Sequence, residues 1–456
     1  MLASIHELGE APRRFLFFVI FNVLSWQCLV GPMLILFGRK IDMPPSWIGF
    51  LISSMPISML LVAVTTPLVR RFGPKKLMLA TWLMRNLIAC SVFLMPWATR
   101  SWGPKSAWYV LFAATFGFCI MRALGVGGWF PWLHEVVPDD QRGAYFSAEA
   151  SVAQGIGLIV ILGQGLLLRG DPSVNRFLAI YSIGVLAGII SVHWMSRVPG
   201  GRRTDDLVPK GKWNAIHRNV FADRPFLAYV FMISVGFSST SWLGASLVLY
   251  MRDAVGLSSR TIMMLMSTGS LGILLTNRFW MRFAEYRGGA RAMLKSMAGH
   301  AVAAFVCLFL FPEAWWTPYA LCPTIFFMSV FVAAFWMVAH RTMLSYVKTD
   351  GKVGYTNVWI FGTALAVGVT PIAVGFAIDL WGLWGFRSCF IISCIGSLCC
   401  GIAAQWVVQD GKPIENLLGR MMNPVLPLRT LGRIAWITIG LHESNRPEKG
   451  VSDEGR

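Results

Sequence analysis

"PLVRRFGPKKLMLATWLMRNL", residues 67–87, places four cations within its first ten residues and a fifth, Arg85, inside an apolar run. On both sides the chain is apolar for about twenty residues, the length an α-helix needs to cross a bilayer. The stretch therefore reads as a tight turn between two membrane helices. Pro67 lies near the end of one, Gly73 and Pro74 form the bend, and Lys75 and Lys76 precede the next.

Composition agrees with a membrane chain. Of 456 residues, 55% are hydrophobic and only 14% charged, and the mean hydropathy is +0.59. Soluble domains carry about 25% charged residues. The net charge of +18 raises the question of nucleic acid. However, the cations sit in short clusters between apolar runs rather than on a basic face, so the partner they imply is the lipid bilayer and no nucleic acid. The nine cysteines all fall within apolar runs, without metal-ligand spacing, and read as buried thiols. No metal or cofactor is expected. Arg13 and Arg14 precede an apolar run that is longer than a signal core and has no cleavage site after it, so it reads as the first span.

Twelve runs are long enough to span: 15–37, 46–69, 77–97, 107–133, 144–168, 176–196, 225–250, 261–281, 292–311, 318–340, 353–378 and 386–408. Backbone in lipid must satisfy its own hydrogen bonds, so these are helices. The expected organisation is an N-terminal segment 1–14, a six-helix bundle over 15–196, a linker at 197–224, a second bundle over 225–408 and a tail at 409–456. Of the 40 Lys and Arg residues, 28 fall on the side of the termini, 9 on the other, and Arg85, Arg122 and Lys295 lie within spans. By the positive-inside rule both termini are expected in the cytoplasm. Within the tail, 424–441 is apolar with Arg429 and Arg433 four apart and reads as an amphipathic helix on the inner leaflet.

The opening loop also carries a resemblance. "TPLVRRFGPKK" (66–76) is similar to the G-x-L-A-D-R-x-G-R-K signature after the second helix of the major facilitator superfamily (MFS), secondary transporters with twelve helices in two six-helix bundles. Leu68, Arg71, Phe72, Gly73, Lys75 and Lys76 fit, whereas Thr66, Arg70 and Pro74 depart from it. The second half repeats the theme after the eighth span as "WMRFAEYRGGAR" (280–291), where Phe283, Ala284, Glu285 and Gly288 match. "GVTPIAVGFAIDLWG" closing on Asp379 and Gly382, and "PWLHEVVPDDQRGAYFS" before the fifth span, resemble further family elements of bacterial members. "RALGVGG" resembles R-x-x-Q-G, with Gly125 in place of glutamine. The fifth span lacks the G-P-x-x-G-G of drug antiporters.

The resemblance implies an all-α membrane fold, alternating access around a midplane site, and no enzymatic activity. It further implies a cavity lined by helices 1, 4, 7 and 10. Polar and aromatic residues there are the candidate substrate pathway: Asn22, Trp26 and Gln27 in helix 1, Arg122 in helix 4, Ser238, Ser241 and Trp242 in helix 7, and Trp336 and His340 in helix 10. The structural alternative is that the serines bond their own or neighbouring backbone. Arg85 lies about 12 Å along helix 3 and Arg122 about 16 Å along helix 4. A charge at that depth costs about 2.5–3.5 kcal/mol on insertion scales and needs a partner or a wet cavity. Glu149 is the acid well inside a span, so an Arg122–Glu149 pair is one expectation and a substrate-attracting cation the other. For Arg85 the structural expectation is hydrogen bonding to carbonyls.

Helices 1, 7 and 10 hold no acid, which disfavours a cationic cargo. The expected function is a secondary active transporter of a small organic solute, anionic or neutral polar, acting as a monomer in an inner membrane. A coupled proton would be carried by His193, His300 or, preferably, His340. The alternatives are an exporter of an amphipathic toxin or siderophore, and a transporter-like sensor or assembly scaffold. In "GVGGWFP" (125–131) helix 4 should bend, Pro56 and Pro371 are further kink sites, and Gly155, Gly157, Gly163 and Gly165 should let helix 5 pack closely. The gating set is Arg70, Arg71, Gly73, Lys75, Lys76, Glu285, Gly288 and Arg142. Family members place an acid near the start of helix 11; here Arg70 would meet that positive end near Lys348 and Lys352. Glu285 keeps its acid beside Arg142, so the expected lock is one-sided and the resting state inward-open.

Overall fold

The computed structural model describes residues 9–138, 142–201, 220–346 and 352–408. The tail helix expected at 424–441, the loop cations near Lys348, and the side chains of Arg142 and Lys352 fall outside them. The described residues form twelve helical rods and no strand: α1 (Glu10–Lys40), α2 (45–72), α3 (Pro74–Trp102), α4 (106–136), α5 (Arg142–Leu167), α6 (Val174–Ser196), α7 (Arg224–Ala254), α8 (Ser259–Arg287), α9 (Gly289–Leu308), α10 (Thr317–Tyr346), α11 (Lys352–Trp381) and α12 (Leu383–Val407). Ten are long and apolar enough to cross a membrane by themselves. The other two are α8 and α9, which carry extra Arg and Lys toward their shared turn. They are held by neighbours, α8 on α10 and α5, and α9 on α10 and α12.

Local chemistry sets the rod ends. Asp223 and Ser258 accept hydrogen bonds from the backbone N–H of Phe226 and Thr261, capping α7 and α8. Several rods extend past the apolar runs; α8, for example, begins at Ser259 and ends at Arg287 because its charged last turns stay helical beyond the hydrocarbon. The glycines of "GVGGWFP" break α4 between Val126 and Trp129, and α2 tightens into a 3₁₀ stretch at Leu60–Val64, just beyond Pro56.

The two signature loops share one backbone device. Gly73 has φ +80° and ψ 150°, and Gly288 has φ +89° and ψ 159°; each precedes the first turn of the next helix, α3 or α9. This region is essentially open to glycine alone. Gly73→Ala or Gly288→Ala is therefore expected to cost about 1–3 kcal/mol, read as a lower melting temperature of the detergent-solubilised chain.

The rods assemble as two six-helix bundles. In the first, α1 packs on α5 and α6, α3 on α4 and α6, and α2 on α4; in the second, α7 packs on α11 and α12, α9 on α10 and α12, and α8 on α10. The bundles meet along α2–α11 and α5–α8, pairs related by the pseudo-twofold, and the last turns of α1 reach α7 and α8. Call the end that carries residues 9 and 408 the terminal end and the opposite one the distal end. The buried apolar core is continuous across both bundles at the distal end, joining Leu34, Ile48 and Phe177 to Leu249, Met263 and Phe386. Toward the terminal end it divides into a first-bundle core around Phe15, Trp82 and Trp132 and a second-bundle core around Phe226, Phe335 and Met343. The buried apolar core is thus shared at one end and divided at the other.

Helix 5 departs from its expected reading. A Cβ on Gly155 or Gly163 would meet nothing within 4 Å, and one on Gly157 would meet only the Gln27 amide, so these glycines are not a close-packing stripe. Gly165 alone faces α8, against Met264. The close approaches lie instead between α2 and α11, where a Cβ on Gly49 would stand 2.3 Å from the Pro371 carbonyl oxygen and one on Gly375 2.4 Å from that of Pro45.

Candidate substrate site

At the level where the shared core divides, the first bundle buries two arginines among aromatic rings. Arg85 of α3 is fully buried. Its Nη2 donates to Asn22 Oδ1 of α1 at 2.6 Å, and its guanidinium lies 4.4 Å from the Trp82 ring centroid and 4.9 Å from that of Phe118. Trp82 Nε1 donates to the same Asn22 oxygen at 3.1 Å. Arg122, one turn beyond Phe118 on α4, is half-buried and lies 4.8 Å over the Trp26 ring. Its polar contact is weak, from Nη1 to the Met59 Sδ at 3.8 Å. Trp26 sits one turn beyond Asn22 and 6.4 Å from Phe118, so cations and rings alternate through the bundle.

Two expectations are corrected here. Arg122 does not pair with Glu149; the ion pairs Arg14–Glu10, Arg39–Asp253 and Lys40–Asp171 all lie near helix ends. Glu149 is half-buried on α5. Among the described residues Arg85 bonds no backbone carbonyl; its guanidinium takes a side-chain oxygen and two ring faces. Gly125 also finds a reason to replace the family's glutamine, because a Cβ there would stand 2.0 Å from Thr81 Oγ1.

Gln27 is half-buried and offers its backbone oxygen to Gln164 Nε2 at 3.0 Å. In the second bundle Ser238 and Thr370 share a hydrogen bond of 2.7 Å. Both line a groove of about 610 Å³ between α7 and α11, walled by Phe231, Trp242 and Val369 and dotted with hydroxyls. Ser241 is half-buried but is not part of that wall. Trp336 and His340 do share a face. Their rings stack at 5.6 Å, His340 Nδ1–H donates to the Trp336 carbonyl, and Trp359 meets the imidazole edge-on at 4.7 Å. His300 is buried on Ser397 as a tie between α9 and α12, and His193 is exposed near the end of α6.

Among the loop residues, Lys75 is an anchor. Its N–H donates to the Gly201 carbonyl, its Nζ to that of Val198, and it lies over Trp132. Arg71 lies over Phe72, and Arg70, Lys76 and Glu285 are exposed.

Sequence reasoning missed the distal closure. Arg39 of α1 donates to Asp253 of α7 at 2.9 Å and also holds the Met43 carbonyl. Asp379 of α11 accepts from the Ser46 N–H at the start of α2 at 2.9 Å, an anion on a helix N-terminus. Arg39 and Asp253 fall just past the ends of apolar runs on one side with opposite sign, the one signal that could have paired them. Nearby, the hydrogen bond from Lys40 holds the exposed Asp171 carboxyl below its ordinary range. The Arg39 pair is half-buried, worth about 0.5–1 kcal/mol. Asp253→Asn should therefore raise distal-end cysteine labelling about twofold to fivefold.

The family model of the Major Facilitator Superfamily matches residues 231–441. No curated protein matches the sequence. Solved structures match the fold: a nucleoside transporter, NupG, in mutant form (TM-score 0.65, 11% identity, covering 88% of this chain and 100% of that one); a bacterial homologue of the iron transporter ferroportin, inward-facing (0.69, 12%, 88% and 100%); and a bacterial homologue of the human lysosomal transporter Spinster, inward-facing and unoccupied (0.58, 13%, 88% and 98%). With the family model on residues 231–441 and twelve rods in two pseudo-symmetric bundles, this multi-pass membrane chain is similar to the Major Facilitator Superfamily over that part and shares the fold of these solved transporters.

Proposed function

We propose that the chain is a secondary active transporter of a small organic solute, working by alternating access as a monomer in an inner membrane, with both termini cytoplasmic. The observation that carries this is the core that is shared distally and divided terminally. Two bodies hinged in that way expose an interior to one side, and the half-buried Asn22, Trp26 and Arg122 lie at the point of division. With the terminal side cytoplasmic, as the cation bias supports, this conformation is inward-facing.

Proton coupling is the expected drive, with His340 as the carrier: its Nδ1–H is committed to a carbonyl, which leaves Nε2 to take the proton. The test is flux in proteoliposomes under an imposed proton gradient. Solute accumulation abolished by a protonophore supports the reading; gradient-independent equilibration removes the coupling, and the absence of any flux removes the transporter. A second reading, export of an amphipathic compound, is favoured by the apolar α7–α11 groove. The direction of net flux separates the two.

A further inference from the structure

We infer that the first bundle carries a built oxyanion site, in which Asn22 and Arg122 take the carboxylate or phosphate ester of the transported solute and Arg85 positions Asn22. This rests on the transporter reading above and narrows it to anionic cargo.

Donor bookkeeping leads there. Asn22 Oδ1 already accepts from Arg85 and Trp82, which fixes the amide with its nitrogen as the side left to offer. That nitrogen makes no hydrogen bond among the described residues, and Asn22 is half-buried rather than sealed. Arg122 spends one N–H on a thioether and keeps the rest of its fork. Asn22, and Arg122 over the ring of Trp26 one turn along α1, therefore offer N–H donors that the bundle leaves uncommitted. A neutral polyol brings hydroxyl hydrogens that such donors cannot receive, and a cation is repelled. An acceptor-only group with negative charge fits on both counts.

Charge points the same way. Arg85 and Arg122 are close enough for their charges to act on each other, and neither meets a carboxylate among the described residues. Ring faces lower the cost of burying them but do not cancel two positive charges. The site also lies near the partner bundle. Met59, which touches Arg122, borders a small cleft with Asn357, Ile360 and Phe361 of α11, and Asn357 Nδ2 is buried there without a partner. A donor from the second bundle thus stands beside Met59, the residue that Arg122 touches, where closure around an anion can recruit it.

The experiment titrates the full chain in detergent, by thermal shift, with succinate and glycerol 3-phosphate as oxyanions, glycerol and glucose as neutral probes, and choline as a cation. Saturable stabilisation by an oxyanion and not by the others is expected, and the probe that acts separates carboxylate from phosphate. Arg122→Gln and the isosteric Asn22→Asp should each weaken it at least tenfold. Arg85→Lys, which keeps one donor for Asn22, should weaken it less than Arg85→Met. No saturable response to either oxyanion, or one unchanged in Arg122→Gln, overturns the site. Flux separates this failure from that of the parent reading. Transport of a neutral solute, indifferent to Arg122→Gln, would leave a transporter without the anion site. Arg122-dependent anion binding with no flux of the bound anion would leave the site without a transporter.

Discussion

Gly49→Val is expected to cut transport by about tenfold to a hundredfold while raising chemical accessibility at the distal end. Helix α2 crosses α11 there with backbone nearly touching backbone, and a Cβ at Gly49 would stand 2.3 Å from the Pro371 carbonyl oxygen. Ordinary carbon contacts need about 3.5–4.0 Å, so the helices must separate by roughly 1 Å even before the two methyl groups are placed. Overpacking of this kind costs about 1–3 kcal/mol. The cost falls only on the conformation that closes the distal end, where the shared core and the Arg39–Asp253 pair lie. A perturbation that penalises one of two states by that amount shifts their ratio by about fivefold to a hundred-and-fiftyfold. A carrier that cannot complete the closed-distal half of its cycle stalls, whatever its affinity. Gly375→Val, at the neighbouring crossing, should behave alike. Gly163→Ala is the control, because its Cβ meets nothing within 4 Å. Full flux and unchanged distal labelling in Gly49→Val would show that the crossing opens by some other route.

These glycines mark the limit of reading along the chain. The number of spans was legible because each rod must satisfy its own backbone and cover its own apolar length, properties local to about twenty residues. The paired loops were legible too: Gly73 and Gly288 answer a turn geometry that reaches only a few residues either way. Gly49 and Gly375 look like any other glycines in a span. Their meaning depends on docking helices more than 300 residues apart, and the regular spacing at 155, 157, 163 and 165 drew attention to the wrong helix. The arginines divide in the same way. The depth of Arg85 and Arg122 follows from helical rise. What each touches depends on the rotation of α1, α3 and α4 about their axes. For that reason the carboxylate that sequence spacing offered to Arg122 gave way to the face of Trp26.

Arg85→Met separates a charge retained for the fold from one retained for function. Burying a guanidinium costs several kcal/mol. Against that stand two ring faces at about 0.5–2 kcal/mol each and one charged hydrogen bond at about 1.5–3 kcal/mol. The sum lies near zero, and methionine is flexible enough to refill much of the space between Trp82 and Phe118. The melting temperature should therefore move by only a few degrees, in either direction. The substrate side should not be spared. Asn22 Oδ1 loses its nearer donor and keeps only Trp82, so the amide is no longer held to one orientation, and the positive charge beside Arg122 is gone. The expected signature is a KM for the transported anion raised about tenfold, with the maximal rate largely kept, as when binding rather than the rate-limiting step is weakened. Arg85→Lys should recover part of the loss. If Arg85→Met instead unfolded the chain, or left KM unchanged while lowering the melting temperature by more than about ten degrees, Arg85 would be a strut of the first bundle, and the cationic site would be the work of Arg122 alone.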